Sequence, residues 1–144
     1  PALCLCLFRT WASSASAVEG GGVLTGKYQQ GRPKGARFSA YLENGNERQK
    51  KMARRFVNPR TLETTKRLFE IAQSLGITLT ALAVAWSRQH DFVASTIIGA
   101  TSLMQLDESL EARDLVLDQE TLDRLDEVEA EIPCPMSEDG LRRL

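Results

Sequence analysis

Apolar positions recur along this chain at helical spacing over most of its length, and each change in that spacing marks an element boundary. Leu68, Ile71, Ala72 and Leu75 fall at i, i+3, i+4 and i+7, which predicts one helix face. Pro59 stands just before that segment, and Gly76 is placed to act as its C-cap. Thr78 is the expected N-cap of a second helix, whose Leu79, Leu82, Ala83 and Trp86 form another i, i+3, i+4, i+7 stripe, so Trp86 reads as core. The period then breaks at Ser95–Ile98, a short β-branched run bounded by Gly99 that predicts a buried strand. Ser102 caps a further helix with an expected apolar stripe of Leu103, Leu106 and Leu110. Asp118 caps the last one, which turns Leu122, Leu125 and Val128 inward and acidic residues outward until Pro133 and Pro135 end it.

Strands separated by helices imply a parallel sheet, and a parallel sheet is covered on both faces. A chain of 144 residues buries about 68% of its unfolded surface and suffices for one ordinary domain. Yet Ser95–Ile98 is joined by at most one more strand, the period-2 run PALCLCLF at the N-terminus, which is far too short to span a bilayer. Too few strands for a closed sheet point to the C-terminal part of a larger α/β fold.

Charge narrows the partners. The 18 basic and 19 acidic residues nearly balance, so neither nucleic acid nor an anionic membrane is an expected partner. The basic run Arg48–Arg55 (RQKKMARR) has no interleaved aromatics to stack bases and reads as the solvated face of a helix. Three cysteines make neither a disulfide framework nor a metal-binding spacing, which suggests reduced thiols and a cytoplasmic location. WASSASA has the small residues of a signal-peptidase site, but no basic stretch precedes the apolar run, and a secretory signal is not expected. His90, the single histidine, has no neighbouring Cys or second His and is not expected to bind metal or act in catalysis.

Two stretches carry candidate chemistry. In EGGGVLTGKY, Gly21, Gly26 and Lys27 match a phosphate-binding P-loop, but Tyr28 stands where a Ser or Thr would hold Mg²⁺, and the QQGRPKG that follows is a loop and not the required helix. Triphosphate chemistry is thereby set aside, and what remains is a glycine loop with one lysine, suited to a dinucleotide's phosphates. The second stretch runs from the expected strand through Gly99, Thr101 and Ser102 into a helix N-terminus. It reads equally as an anion site or as a plain strand-to-helix turn.

Taken in order, GGGVLTGKY, the ARF whose Arg37 lies ten residues after Lys27, GITLTALAVAW and ASTIIGATSLMQLDESLEA resemble the last part of an aldo-keto reductase, over about residues 20–135. The closest likeness is to bacterial members and to potassium-channel β-subunits. The resemblance implies an α/β fold, the C-terminal part of a (β/α)₈ TIM barrel, mostly helical as given and incomplete, with NADP(H) across the C-terminal ends of the strands. It implies that Gly20 and Gly21 admit the cofactor's pyrophosphate, that Lys27 and Arg37 add charge, and that Gly99 and Thr101 meet the 2′-phosphate. Gln105, Glu108 and Ser109 would reach the adenosine end, Ser109 replacing the family's usual Asn and losing its amide.

The family's Asp, Tyr, Lys and His lie on the first half of the barrel, so no catalytic residue is expected here, and Tyr28 and Tyr41 fall outside those positions. Residues 1–19 do not resemble the family, with Ser-Ala-Val-Glu at 16–19 in place of a pattern like Tyr-Ser-Pro-Leu, and residues 136–144 form a polar tail. The implied function is an NADP(H)-dependent oxidoreductase that, in full-length form, reduces an aldehyde or ketone to an alcohol, the carbonyl compound being its small-molecule partner. A non-catalytic NADP(H)-binding or regulatory module and a non-functional truncated fragment stand as alternatives.

Overall fold

In a computed structural model of the chain, residues 20–89, 93, 95–100, 102–133, 135 and 136 are described. A 3₁₀ turn at Gly20–Thr25 leads into six α-helices: α1 (Arg37–Asn44), α2 (Glu47–Phe56), α3 (Pro59–Ser74), α4 (Leu79–Arg88), α5 (Leu103–Glu111) and α6 (Gln119–Glu131). No strand is formed among the described residues. The expected N-terminal strand, His90 and Thr101 lie outside them.

The helices begin and end where their sequences supply local partners. Asn46 and Asn58 each close a capping box, with Gln49 and Thr61 respectively, at the starts of α2 and α3, and Pro59 takes the first position of α3. Gly76, at φ +68°, ends α3 in a Schellman turn: its N–H donates to the Gln73 carbonyl and that of Ile77 to the Ala72 carbonyl, both at 3.1 Å. Thr78, Ser102 and Asp118 cap α4, α5 and α6 through their side-chain oxygens, as expected.

Helix α4 forms the centre. Its sequence LTALAVAWSR is apolar on every face, and Leu79 through Ser87 are all buried. The glycine turn, α3 and α5 pack against it, and α6 packs on α3. Leu24, Ile71, Ala72, Trp86, Leu117, Leu125 and Val128 complete this core. Gln89 joins its end to the α5–α6 connection by exchanging two hydrogen bonds with the Leu117 backbone, at 2.9 and 2.6 Å. A smaller core of Val23, Tyr28, Ala36, Phe38 and Ala53 lies between the glycine turn and the α1–α2 pair, where Phe38 stacks on Phe56 at 5.1 Å between ring centroids.

Two expectations are corrected. Ser95–Ile98 forms no strand. Its alternation is present, Thr96 and Ile98 half-buried and Ser95 and Ile97 exposed, and the Ser87 and Thr96 hydroxyls meet at 3.1 Å. A strand also needs a neighbour for its backbone ladder, and none stands beside it among the described residues. Helix α5 forms as expected, but Leu103, Leu106 and Leu110 face outward, Leu103 being 79% exposed. The side turned to α4 instead carries Ser109, with Ala112 just beyond the helix end.

The basic run lies on α2 with Arg48, Lys51, Arg54 and Arg55 exposed, as expected of a solvated face. Charge is unevenly distributed around the near-zero total. Ten basic and two acidic residues lie between Lys27 and Arg60, against two basic and eleven acidic ones between Ser102 and Pro133. No single described helix is long and apolar enough to cross a membrane.

Candidate functional site

Gly21 and Gly22 adopt left-handed backbone, at φ +62° and +86°, inside the 3₁₀ turn. A Cβ on Gly21 would lie 2.7 Å from Phe38 Cζ, and Phe38 is itself fully packed, so a side chain there meets both strained backbone and a fixed ring. On Gly22 the position of a Cβ is filled by the end of the Lys27 side chain, whose ammonium rests against the glycine backbone. Gly22 is buried beneath it while Lys27 stays exposed.

Tyr28 organises this corner. Its ring is buried, and Lys27 Nζ lies 5.5 Å from the ring centroid. Its hydroxyl accepts a hydrogen bond from the Phe38 N–H at 3.1 Å, at the N-terminus of α1. Ala36, the N-cap residue of α1, makes no side-chain cap, so a tyrosine ten residues upstream supplies it. Burial pushes the Tyr28 phenol above its ordinary value of 10.0, with the Phe38 N–H and the positive charge of Arg37 opposing. Arg37 is exposed at the start of α1.

Lys27 and Arg37 are thus brought to Tyr28, and Gly21 to the Phe38 ring beside it. The remaining candidates form a second group on α5 and the segment before it. Gly99 is exposed with open space around it. Gln105 and Glu108 are half-buried on α5, and the buried Ser109 hydroxyl donates to the Gln105 carbonyl at 2.9 Å. Gly20 opens the 3₁₀ turn. The glycine turn and α5 meet through α4, against which both pack. An exposed lysine resting on left-handed glycine backbone, with the exposed Arg37 acting on the same tyrosine, makes the first group suited to an anion.

Sequence reasoning did not find the role of Tyr28, because the residue that it caps is ten positions away. One signal was present: α1 begins after Ala36, which has no capping atom, so the helix had to find a donor's partner elsewhere.

The aldo/keto reductase family model matches residues 14–130. A protein of Arabidopsis thaliana named "Probable voltage-gated potassium channel subunit beta" is 38% identical over 122 residues, which are 83% of this chain and 34% of that protein. "Protein tas" of Escherichia coli K12 is 34% identical over 113 residues, 76% of this chain and 29% of its own length. "L-glyceraldehyde 3-phosphate reductase" of the same organism is 32% identical over 91 residues, 63% and 25% of the two chains. The chain therefore spans about a third of the length of these curated relatives. With the family model covering most of its length, this chain belongs to the aldo/keto reductase family.

Proposed function

We propose that the chain is the C-terminal part of a (β/α)₈ barrel and holds the phosphates of NADP(H) for a cytoplasmic enzyme that reduces an aldehyde or ketone to an alcohol. Members of the family generally use NAD(P)H. The observation that carries the reading is the placing of Lys27 and Arg37 at Tyr28, with the left-handed Gly22 beneath the Lys27 ammonium. These residues fit the cofactor through charge: Lys27 and Arg37 are exposed and able to meet phosphate oxygens, while Phe38 and the Lys27 side chain fill the Cβ positions of Gly21 and Gly22.

In that role Gly20 and Gly21 admit the pyrophosphate, Lys27 and Arg37 neutralise it, and Gly99 and Thr101 receive the 2′-phosphate that distinguishes NADP from NAD. Gln105, Glu108 and Ser109 lie toward the adenosine. The bound cofactor supplies a hydride. The residues named here bind and orient, and the Asp, Tyr, Lys and His that would move the substrate's proton belong to the first part of the barrel. The outward-facing Leu103, Leu106 and Leu110 support this reading, since an apolar helix face fits a fold that continues beyond it.

Titration of the chain with NADPH, followed by nucleotide fluorescence, tests the binding claim. Lys27→Ala and Arg37→Ala are each expected to weaken binding about tenfold, near the lower end for one charge-assisted hydrogen bond, as suits exposed side chains. Affinity unchanged by both removes the glycine corner as the site. Carbonyl-dependent NADPH oxidation by the chain alone is expected to be nil, and turnover would overturn the placing of the catalytic residues elsewhere.

The likeness to channel β-subunits favours a second reading, in which the same site senses NADP(H) without reduction. Joining the chain to the first two-thirds of a reductase relative separates the two. Turnover in the joined protein supports the enzyme, and NADPH binding without turnover supports the sensor.

A further inference from the structure

We propose that Pro133, Pro135 and Met136, beyond α6, form a strap that holds the glycine turn in the shape that accepts a dinucleotide, with Asn58, Arg60 and Met136 as its positioning residues. The inference deepens the reading of the glycine corner as the phosphate site and rests on it for the ligand. Three ties fix the strap. Arg60 Nη2 donates to the Pro133 carbonyl at 2.7 Å. Asn58 Nδ2 donates to the Pro135 carbonyl at 3.0 Å, from a residue 77 positions away in the chain. Pro135 and Met136 are buried, and Met136 closes a small apolar cavity whose other walls include Val23, Leu24, Phe56 and Thr65.

Val23 and Leu24 make this arrangement matter for the site, because they follow directly on Gly20, Gly21 and Gly22. Three consecutive glycines have the greatest backbone freedom of any such run, so the shape of the turn is set by what anchors its ends. One anchor is Gly21 against Phe38; the other is Val23 and Leu24, sealed from one side by Met136. Arg60 keeps its Nε buried without a hydrogen-bond partner. Burying an unsatisfied donor is costly, and the reach of Nη2 to Pro133 is what the placement achieves.

Asn58 allows the strap to be separated from helix capping. Its Oδ1 accepts from the N–H groups of Arg60 and Thr61 and caps α3, while its Nδ2 donates to the carbonyls of both Arg55, at the end of α2, and Pro135. Asn58→Asp keeps the acceptor and the α3 cap, loses the donor, and sets a carboxylate against the Arg55 and Pro135 carbonyls, so exchange at the end of α2 is followed as well. Amide hydrogen exchange of the full chain is measured for wild type, Asn58→Asp, Met136→Ala and Met136→Leu, alongside NADPH titration of each.

Asn58→Asp and Met136→Ala are expected to speed exchange at Val23–Lys27 about tenfold or more while α4 amides keep their rates, a selective local opening. NADPH affinity should fall by a similar factor, as the fraction of turns in the accepting shape falls. Met136→Leu, which conserves volume, restores both. Unchanged exchange at Val23–Lys27 in Asn58→Asp, or a rise spread equally over α4, overturns the strap. If Met136→Ala fails to fold, Asn58→Asp alone decides. Selective loosening with no NADPH binding in any variant, wild type included, upholds the strap and overturns the cofactor reading.

Discussion

Tyr28 occupies the position at which a phosphate-binding P-loop carries Ser or Thr, and the structure gives the substitution a reason: the phenol caps α1 and carries Lys27 on its face. Tyr28→Phe is expected to cost about 1 kcal/mol by leaving the Phe38 N–H unmet, read as a lower urea midpoint at pH 8. The pH dependence has a definite sign. With the phenol held above 10.0 in the folded chain, the unfolded chain ionises first, so stability is complete below about pH 10 and falls as pH rises through the folded value. The difference between wild type and Tyr28→Phe should therefore shrink above pH 10. Two glycines with similar positive φ separate strain from crowding. Gly35→Ala, with open space around it, is expected to cost about 1 kcal/mol, and Gly21→Ala, facing the Phe38 ring, clearly more, about 2–3 kcal/mol by thermal melts.

Among the elements, what could be read from sequence divides by the distance over which the determinant acts. Asn46, Asn58, Thr78, Ser102 and Asp118 cap their helices through atoms two or three residues away, and for Thr78, Ser102 and Asp118 the sequence announces it. The expected strand at Ser95–Ile98 was illegible for the opposite reason, since its ladder depends on a neighbour that local residues do not specify. The same holds for the α5 stripe: periodicity locates an apolar face, and the rest of the fold decides whether anything covers it. In the candidate site, spacing alone singles out the glycines and Lys27 as candidates, while the link from Tyr28 to Phe38 is a tertiary contact that spacing does not encode. Asp118 offers a test at this scale. The Thr121 hydroxyl and N–H hold its carboxylate below the ordinary 3.8. Asp118→Ala should lower the urea midpoint at pH 7. That loss should fade as pH falls from 3.8 through the lowered value, where the wild-type carboxylate protonates.

For the whole molecule, the contrast lies between a helix buried on every side and one with its apolar side uncovered. Leu82→Ala in α4 is expected to cost about 2–5 kcal/mol, as for other fully packed leucines. Leu103→Ser with Leu110→Ser should leave the melting temperature within about 2 °C, since both side chains are exposed. The same pair should reduce dye binding to apolar surface and light scattering at high concentration. An unchanged scattering signal would mean that association does not run through this face.

The uneven placing of charge, basic from Lys27 to Arg60 and acidic from Ser102 to Pro133, divides the chain into stretches of opposite sign. Its field draws small anions toward Lys27 and Arg37 and turns them away from α6, reaching about 8 Å at physiological salt and farther in dilute buffer. An anion's encounter rate with the glycine turn should thus fall as salt is added, even where its residence time does not. A chain with almost no net charge can still steer.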